Sequence, residues 1–294
     1  MLLESKNNLK KTENKLLASN QSESTAVAQL EILRKMVSLI SEKFLSRFDV
    51  INWAAPVPYF GDPCKAIIAT VGLNPSDREF VNSEGDELTD SSRRFHTLTS
   101  LGLLNWSQLT SSQLESIHDS CTEYFLRNPY DAWFRPLDFL LKGTDDSFYS
   151  SLFHACHLDL IPYATAIKWA YLKPVQRQQL LSISAVFLGE VLKYSSIKIL
   201  VLNGKAVVEN FEQAANVSFR KEQMDTWSLP RKNGNDIKGF SYEGCISRMG
   251  SIDIGREIHV LGYNHNIQSS YGVTTAVRIS IQEWISSKAK EISN

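Results

Sequence analysis

Residues 66–76 read AIIATVGLNPS, an apolar, β-branched run that stops at glycine, an amide side chain, proline and serine. Such a run predicts a strand buried on both faces, as in a parallel sheet covered by helices. Gly72 allows another group to approach the backbone closely, and Pro75 prevents further strand pairing. Asn74 is therefore expected at the carboxyl end of this strand, which is the edge where open α/β sheets bind their ligands.

Three later segments also read as buried strands that end in polar residues. They are HLDLIPYAT at residues 157–165, IKILVLNGKA at 197–206 and EIHVLGYNHNIQSS at 257–270. A helix predicted over residues 174–194 lies between the first and second of them, which is the order of a strand–helix–strand crossover. The pattern therefore predicts the α/β class, with a mostly parallel sheet.

The remaining sequence predicts one domain with a short tail. Residues 1–22 are polar and are interpreted as an N-terminal tail, and residues 23–294 as a single α/β domain. Amphipathic helices are predicted from Ser24 and over residues 274–292, because apolar residues recur there at helical spacing. Residues 212–250 are rich in Gly and Asn and are interpreted as an irregular insertion.

Composition limits the classes of function. The 294 residues are 43% hydrophobic and 21% charged, and the formal net charge of −1 provides no overall basic field for nucleic acid. Cys64, Cys121, Cys156 and Cys245 are far apart in sequence, so we interpret them as buried, reduced residues rather than metal ligands. No signal peptide and no apolar run of membrane-spanning length is present, which predicts a cytoplasmic protein that does not bind a membrane. We also expect no metal, no cofactor and no obligate protein partner.

The motif Gly72-Leu73-Asn74-Pro75-Ser76 resembles the first active-site motif of the uracil-DNA glycosylase superfamily. The segment at 157–165 has the register of that family's second strand, with Asp159 where the family usually has Asn. The segment at 197–206 ends in Gly204-Lys205, similar to the family's Gly-Lys strand. In strand order, the resemblance covers residues 60–285, although identity is confined to these short motifs.

The fourth segment resembles the family's His-Pro-Ser loop in part. His265 and Ser270 keep the spacing of the family's His and of a further Ser five residues later, whereas Asn266 and Ile267 replace the Pro and Ser. The resemblance as a whole implies a three-layer αβα sandwich around a four-stranded, mostly parallel sheet. It also implies a monofunctional DNA glycosylase, which flips a base out of double-stranded DNA and hydrolyses its N-glycosidic bond.

In that reaction positive charge develops on the sugar and negative charge on the departing base. By resemblance, Asn74 would hold the attacking water, and because an amide cannot take up a proton its role would be placement. His265 would donate a hydrogen bond to the base oxygen. For these residues the sequence leaves ordinary interpretations open: a turn Asn that caps its own backbone, and a surface His in a loop.

Two departures from the family concern the base itself. Asp159 as a carboxylate accepts hydrogen bonds but cannot donate one, so it suits the N4 amino group of cytosine and not O4 of uracil. Ser76 replaces a Tyr that in classical uracil enzymes packs against carbon 5 of the base, so a 5-substituent has room. Phe80 or Phe95 is the candidate to stack on the flipped base, with core packing as the alternative. Asp159 as a strand-end cap is likewise an open alternative.

With these departures the chain most resembles bacterial phage-defence glycosylases that remove α-glucosylated hydroxymethylcytosine. Two rival functions are open: a uracil or thymine mismatch glycosylase, and a catalytically silent DNA-binding homologue. The candidate DNA contacts are a wedge at the duplex and a set of phosphate-binding groups. The wedge and its neighbours are Ile267, Gln268, Ser269, Ser270 and Tyr271, and the phosphate and basic contacts are Gly204, Lys205, Ser269, Ser270, Arg93 and Arg94.

Overall fold

The computed structural model describes residues 25–42, 44–152, 154–231, 234, 236–268 and 272–293. The polar tail predicted over residues 1–22 lies outside them. The α/β class is confirmed, because a mixed sheet runs through the molecule and helices flank it. In the described part of the chain, no helix is both long enough and apolar enough to span a membrane.

The sheet has six strands in the order β2-β1-β3-β6-β5-β4. The first four in this order are parallel neighbours, β5 pairs antiparallel with β6, and β4 pairs antiparallel with β5. A four-stranded sheet is therefore correct only for the parallel part. The strands are β1 (Ile68–Gly72), β2 (Ala155–Asp159), β3 (Ile199–Asn203), β4 (Arg220–Leu229), β5 (Ile237–Met249) and β6 (Ile252–Tyr263).

The prediction of an irregular segment over residues 212–250 was wrong. This range contains the end of a helix and the two antiparallel strands β4 and β5. β4 is one of the two edge strands of the sheet, and most of its side chains are exposed. An exposed edge strand shows little of the apolar pattern by which strands are recognised in a sequence.

Helices cover both faces of the sheet. Neighbouring residues of β5 show this, because they point to opposite faces. Glu243 contacts Lys288 of the last helix, whereas Gly244 faces Phe219, which packs on Phe211 of the helix after β3. The helices are α1 (residues 25–41), α2 (Ser111–Thr122), α3 (Asp131–Leu141), α4 (Pro174–Lys193), α5 (Lys205–Ala215) and α6 (Thr275–Ser293).

The parallel strands carry the core and direct their carboxyl ends to one edge. Every residue of β1, β2 and β3 is buried, as the apolar runs predicted. The cysteine prediction was only partly right: all four thiols are free, Cys121 and Cys156 are buried, Cys64 is partly exposed and Cys245 is exposed on β5. The edge at the ends of β1, β2, β3 and β6 is where the sequence predicts the site.

Candidate active site at the carboxyl edge of the sheet

Asn74 lies two residues beyond the end of β1 and is partly buried. Its Nδ2 donates to the Pro75 carbonyl at 3.1 Å and to Thr165 Oγ1 at 3.2 Å. The first bond is the local one of a turn Asn, and the second ties the side chain to the loop after β2. Both use the amide nitrogen, and within the described residues Oδ1 accepts no hydrogen bond. Asn74 thus keeps an open acceptor in a fixed position, as water placement requires.

Asp159 ends β2 and pairs in register with Gly72 at the end of β1. The space above Gly72 is filled by side chains of β2. A Cβ added at Gly72 would overlap Asp159 Oδ1 and lie 2.9 Å from His157 Nε2. Gly72 is therefore required because the Asp159 and His157 side chains occupy the position its own side chain would take.

His157 is a site residue that the sequence analysis missed. Its Nε2 lies 3.3 Å from Asp159 Oδ1, and its Nδ1 lies 2.7 Å from Thr70 Oγ1. All three side chains are buried. The available signal was periodicity, because residues two apart on a strand face the same way, as His157 and Asp159 do.

Glu79 is a second residue that the sequence analysis missed. Its buried Oε2 accepts a hydrogen bond from Tyr124 OH at 2.8 Å, and the guanidinium Nε of Arg94 lies 3.8 Å away. Burial raises the pKa of Glu79 to about 7, and the nearby charge of Asp159 adds to this, whereas Tyr124 and Arg94 oppose it. This side of the edge therefore holds two buried carboxyl groups close enough to interact.

Arg94 does not fit its predicted role in DNA binding. Its side chain is mostly buried, and it donates to the backbone carbonyls of Asn128 and Arg78 at 3.0 and 2.8 Å. These contacts and the one with Glu79 hold the loop after β1 together. Arg93 beside it is partly exposed, so its predicted DNA contact stays a prediction.

Phe80 and Phe95 do not present a free ring face. Both are buried in an aromatic cluster, where Phe95 stacks on Tyr124 with centroids 5.0 Å apart and Phe80 meets Trp53 edge to face at 6.1 Å. The core alternative for these two residues is the one observed. A flipped base would have to displace Tyr124 in order to stack on Phe95.

Ser76 is exposed at the start of a short 3-10 helix, residues 77–79. Its Oγ accepts from the backbone N–H of Arg78 at 3.2 Å and so caps this helix. The side chain is small and borders the loop that carries Asn74. Its role beside carbon 5 of a base stays a prediction.

The ends of β3 and β6 pack against each other. Gly204 has φ +95° and opens α5, and a Cβ there would come within 3.3 Å of the His265 carbonyl oxygen. Lys205 follows with an exposed side chain that lies 3.5 Å from Glu209. The Lys205 ammonium group is thus accessible to a phosphate. The phosphate would compete with Glu209, whose exposed ion pair with Lys205 is weakened by solvent screening.

His265 is buried after β6, and its ring is directed away from β1. Its Nε2 donates to the Trp227 carbonyl on β4 at 2.7 Å. Burial lowers the pKa of His265, so the ring is neutral at neutral pH. With the proton on Nε2, the remaining Nδ1 is an acceptor. In this arrangement His265 has no N–H left for the oxygen of a departing base, and the structure does not bring it together with Asn74.

The predicted wedge is only partly within the described residues. Ile267 is buried, with 1% of its surface exposed, so it does not project to intercalate into DNA. Gln268 accepts from Asn203 Nδ2 at 3.0 Å, and Tyr263 OH donates to Asn203 Oδ1 at 2.7 Å, which binds the end of β3 to β6. Ser269, Ser270 and Tyr271 lie outside the described residues.

A metal centre or a cavity in the described part of the chain could add to this edge. The described residues contain no group of three His, Cys, Asp or Glu arranged to hold a metal ion. A surface cavity of about 460 Å³ lies at the end of α3, where it is lined by Arg135, Asp138, Lys142 and Asp146 among others. None of the predicted site residues lines it.

Comparison with known proteins assigns no family: no protein-family model matches the chain, and no curated protein matches it significantly. The functional argument therefore depends on the geometry of the β1 and β2 ends.

Proposed function

We propose that this chain is a monofunctional DNA glycosylase that hydrolyses the N-glycosidic bond of a flipped, 5-modified cytosine. One observation carries the proposal. Asn74 lies just beyond β1 and Asp159 ends the neighbouring parallel strand β2, and within the described residues each keeps an oxygen without a hydrogen bond. One acceptor serves to place water, and the other serves to read an amino group. The resemblance of the four segments to the uracil-DNA glycosylase superfamily adds support. The same resemblance implies a three-layer fold around parallel strands.

The reaction needs only water as co-reactant. The water oxygen bonds to C1′ of the sugar, the C1′–N1 bond breaks, and its electron pair leaves with the base. One proton from the water ends on the base or in solvent, which leaves an abasic sugar and the free base. Asn74 Oδ1 accepts from the water and orients it, and the bond already made by Nδ2 to Thr165 keeps the amide from turning.

Base choice is assigned to Asp159 and Ser76. The carboxylate accepts from the N4 amino group of cytosine, and the small, exposed Ser76 leaves room at carbon 5. A base with a bulky 5-substituent, such as α-glucosylated hydroxymethylcytosine in phage DNA, fits this pair of features. The biological setting proposed is anti-phage defence in the cytoplasm, with double-stranded DNA as partner and no cofactor.

A second candidate, a catalytically silent DNA-binding homologue, is favoured by His265. Because its Nε2 is bonded to Trp227, the departing base lacks the donor that the family resemblance implies. Uracil or thymine mismatch excision is the third candidate and requires Asp159 to be protonated, so that it donates to O4.

One experiment separates the three candidates. Purified protein is incubated with matched duplexes that carry uracil, a thymine mismatch, cytosine, hydroxymethylcytosine or glucosylated hydroxymethylcytosine, and alkali-labile strands are measured. We expect breaks only at a modified cytosine. Breaks at uracil or thymine support mismatch repair, and DNA binding without breaks on any duplex supports the silent homologue. Asn74→Ala protein, prepared identically, controls for contaminating glycosylase.

A pair of variants at Ser76 tests the space beside carbon 5. Ser76→Ala and Ser76→Tyr both lose the cap on Arg78, so their difference isolates side-chain volume. We expect Ser76→Tyr to abolish excision of the bulky base, and Ser76→Ala to retain it. Equal activity of the two variants would place the carbon-5 face of the base elsewhere.

A further inference from the structure

A buried polar chain runs from β1 to the candidate base-reading residue. Thr70 pairs in register with His157, and Gly72 pairs with Asp159, so all four positions face the same side of the sheet. Hydrogen-bond distances of 2.7 Å from Thr70 Oγ1 to His157 Nδ1 and 3.3 Å from His157 Nε2 to Asp159 Oδ1 connect three of them. The fourth, Gly72, leaves the room in which the His–Asp contact forms.

The direction of this chain follows from its last member. A carboxylate only accepts, so His157 Nε2 must carry the proton that faces Asp159. In the neutral ring the other nitrogen is then a lone pair, and Thr70 donates its hydroxyl proton to it. The Asp159 carboxylate therefore selects the histidine tautomer that points an N–H at it, and Thr70 supports this tautomer because its hydroxyl occupies the Nδ1 lone pair.

The surroundings hold this geometry rigidly. The His157 ring packs against Phe60 and Phe134, with both ring centroids 5.3 Å away, and the residue is 1% exposed. Because it is buried below the edge, His157 cannot touch a substrate. Only Asp159 Oδ1 is engaged, and within the described residues Oδ2 accepts no hydrogen bond.

We propose that His157, anchored by Thr70, is a positioning residue that fixes the Asp159 carboxylate with Oδ2 presented to the base. The inference rests on the proposed function, because a base must be read for the orientation to matter. Without the Thr70 hydroxyl, the ring would be anchored at Nε2 alone and could tilt relative to Asp159. The carboxylate would turn, and discrimination between cytosine and uracil would fall.

The test compares Thr70→Val with Thr70→Ser. Valine keeps the shape but removes the hydroxyl, whereas serine keeps the hydroxyl. We expect Thr70→Val to lower the preference for modified cytosine over uracil by roughly two- to tenfold, the scale of one hydrogen bond. Thr70→Ser should retain the wild-type ratio. His157→Gln, which keeps a donor near the Nε2 position, should retain more of the ratio than His157→Asn.

A second readout does not depend on activity. The ¹⁵N chemical shifts of the His157 ring should report the Nε2–H tautomer in wild-type protein and a changed Nδ1 shift in Thr70→Val, where the hydroxyl that bonds the Nδ1 lone pair is lost. An unchanged ratio and an unchanged Nδ1 shift in Thr70→Val overturn the inference, as does an equal loss of rate on every base, which a merely structural role predicts. Wild-type protein that excises no base contradicts the proposed function instead, and the ring shifts still report whether Thr70 bonds Nδ1.

Discussion

The two halves of the carboxyl edge behave differently, although their strands are parallel neighbours in one sheet. At the ends of β1 and β2, Asn74 and Asp159 each keep an oxygen without a hydrogen bond among the described residues. At the end of β6, His265 donates a hydrogen bond from its Nε2–H to the Trp227 carbonyl, and Ile267 is buried. A strand end therefore offers a position for a functional side chain, but neighbouring elements decide whether the side chain is available.

The difference arises from the two antiparallel strands beyond β6. The register of β4 on β5 shifts between Met224 and Leu229, so Trp227 lies in the irregular section. Its side chain is buried against Trp284 of α6 and sits over Gly239, where a Cβ would come within 2.8 Å of the Trp227 carbonyl carbon. The Nε2–H of His265 donates the hydrogen bond that the Trp227 carbonyl oxygen accepts. On the other side, β2 ends the sheet, and no strand reaches over Asn74 in the described chain.

Burial also changes the titration of one group on each side. It raises the pKa of Glu79 on the β1 side and lowers the pKa of His265 on the β6 side. In both cases burial favours the neutral form. The two halves therefore differ in which side-chain atoms lack a hydrogen-bond partner. They do not differ in the effect of burial on pKa, which favours the neutral form in both.

The largest expected effect is that of Asn74→Ala. If this half of the edge carries the chemistry, the single-turnover excision rate should fall by about 10²–10⁴, with DNA affinity and thermal stability retained, because only water placement is lost. Thr165→Val is the matched control, since it removes an anchor of the amide and leaves the amide itself; its loss should be smaller. Wild-type rates in Asn74→Ala would remove Asn74 from the reaction.

Glu79→Gln tests the electrostatics of the same half through stability. The folded-state pKa of about 7 lies above the usual 4.5, so the contribution of the neutral carboxyl to stability is complete below pH 4.5 and is lost as pH rises to about 7. The amide of the variant stays neutral at every pH, so the free energy of unfolding of the variant should rise relative to that of wild type over this pH range. Above pH 7 this relative increase is at most on the order of 3 kcal/mol.

Urea unfolding at several pH values measures this gain. Glu84→Gln is the matched control, because Glu84 is exposed in the same loop and its hydrogen bond to Ser83 lowers its pKa, which gives the opposite sign. A Glu79→Gln profile parallel to that of wild type would show that Glu79 does not titrate in this range.

Asp159→Asn sharpens the comparison at the base. The amide keeps the size but adds a donor, so excision of modified cytosine should weaken and uracil should be admitted. A direct base contact is worth about 1–3 kcal/mol, so the cytosine-to-uracil preference should move roughly ten- to a hundredfold. Paired excision rates on the two duplexes measure it. An unchanged ratio would contradict the cytosine-reading role and favour mismatch repair.

The smallest expected effect on rate is that of His265→Ala. If His265 only hydrogen-bonds Trp227, the excision rate should stay within severalfold of wild type, and the free energy of unfolding should fall by at least about 1–3 kcal/mol, because the Trp227 carbonyl is left without its partner. A single-turnover loss of 10²–10³ at unchanged DNA affinity would match the loss of a donor to a developing anion. That result would contradict the difference between the two halves of the edge, because His265 would have to break its hydrogen bond with Trp227 during the reaction.

Strongly patterned segments were predictable from the sequence. The apolar runs predicted β1, β2, β3 and β6, and helical spacing predicted the start of α1 and both ends of α6 to within one residue. The helix predicted over residues 174–194 corresponds to α4. The position of Asn74 after β1 also followed from sequence, since Gly, Asn and Pro end a buried strand. The polar edge strand β4 was missed, because an exposed strand has no apolar pattern to detect.

What the sequence by itself determined is which residues lie along β1, β2, β3 and β6, and therefore which side chains follow each strand. That information is local, because turn chemistry and apolar periodicity depend on neighbouring residues. The tertiary structure alone decided what each side chain contacts. Thr70, His157 and Asp159 meet because β1 and β2 pair in register, and His265 turns to Trp227 because β4 shifts its register nearby. Hydrogen bonds between distant strands depend on register and on space such as that above Gly72, and neither is written in any single segment.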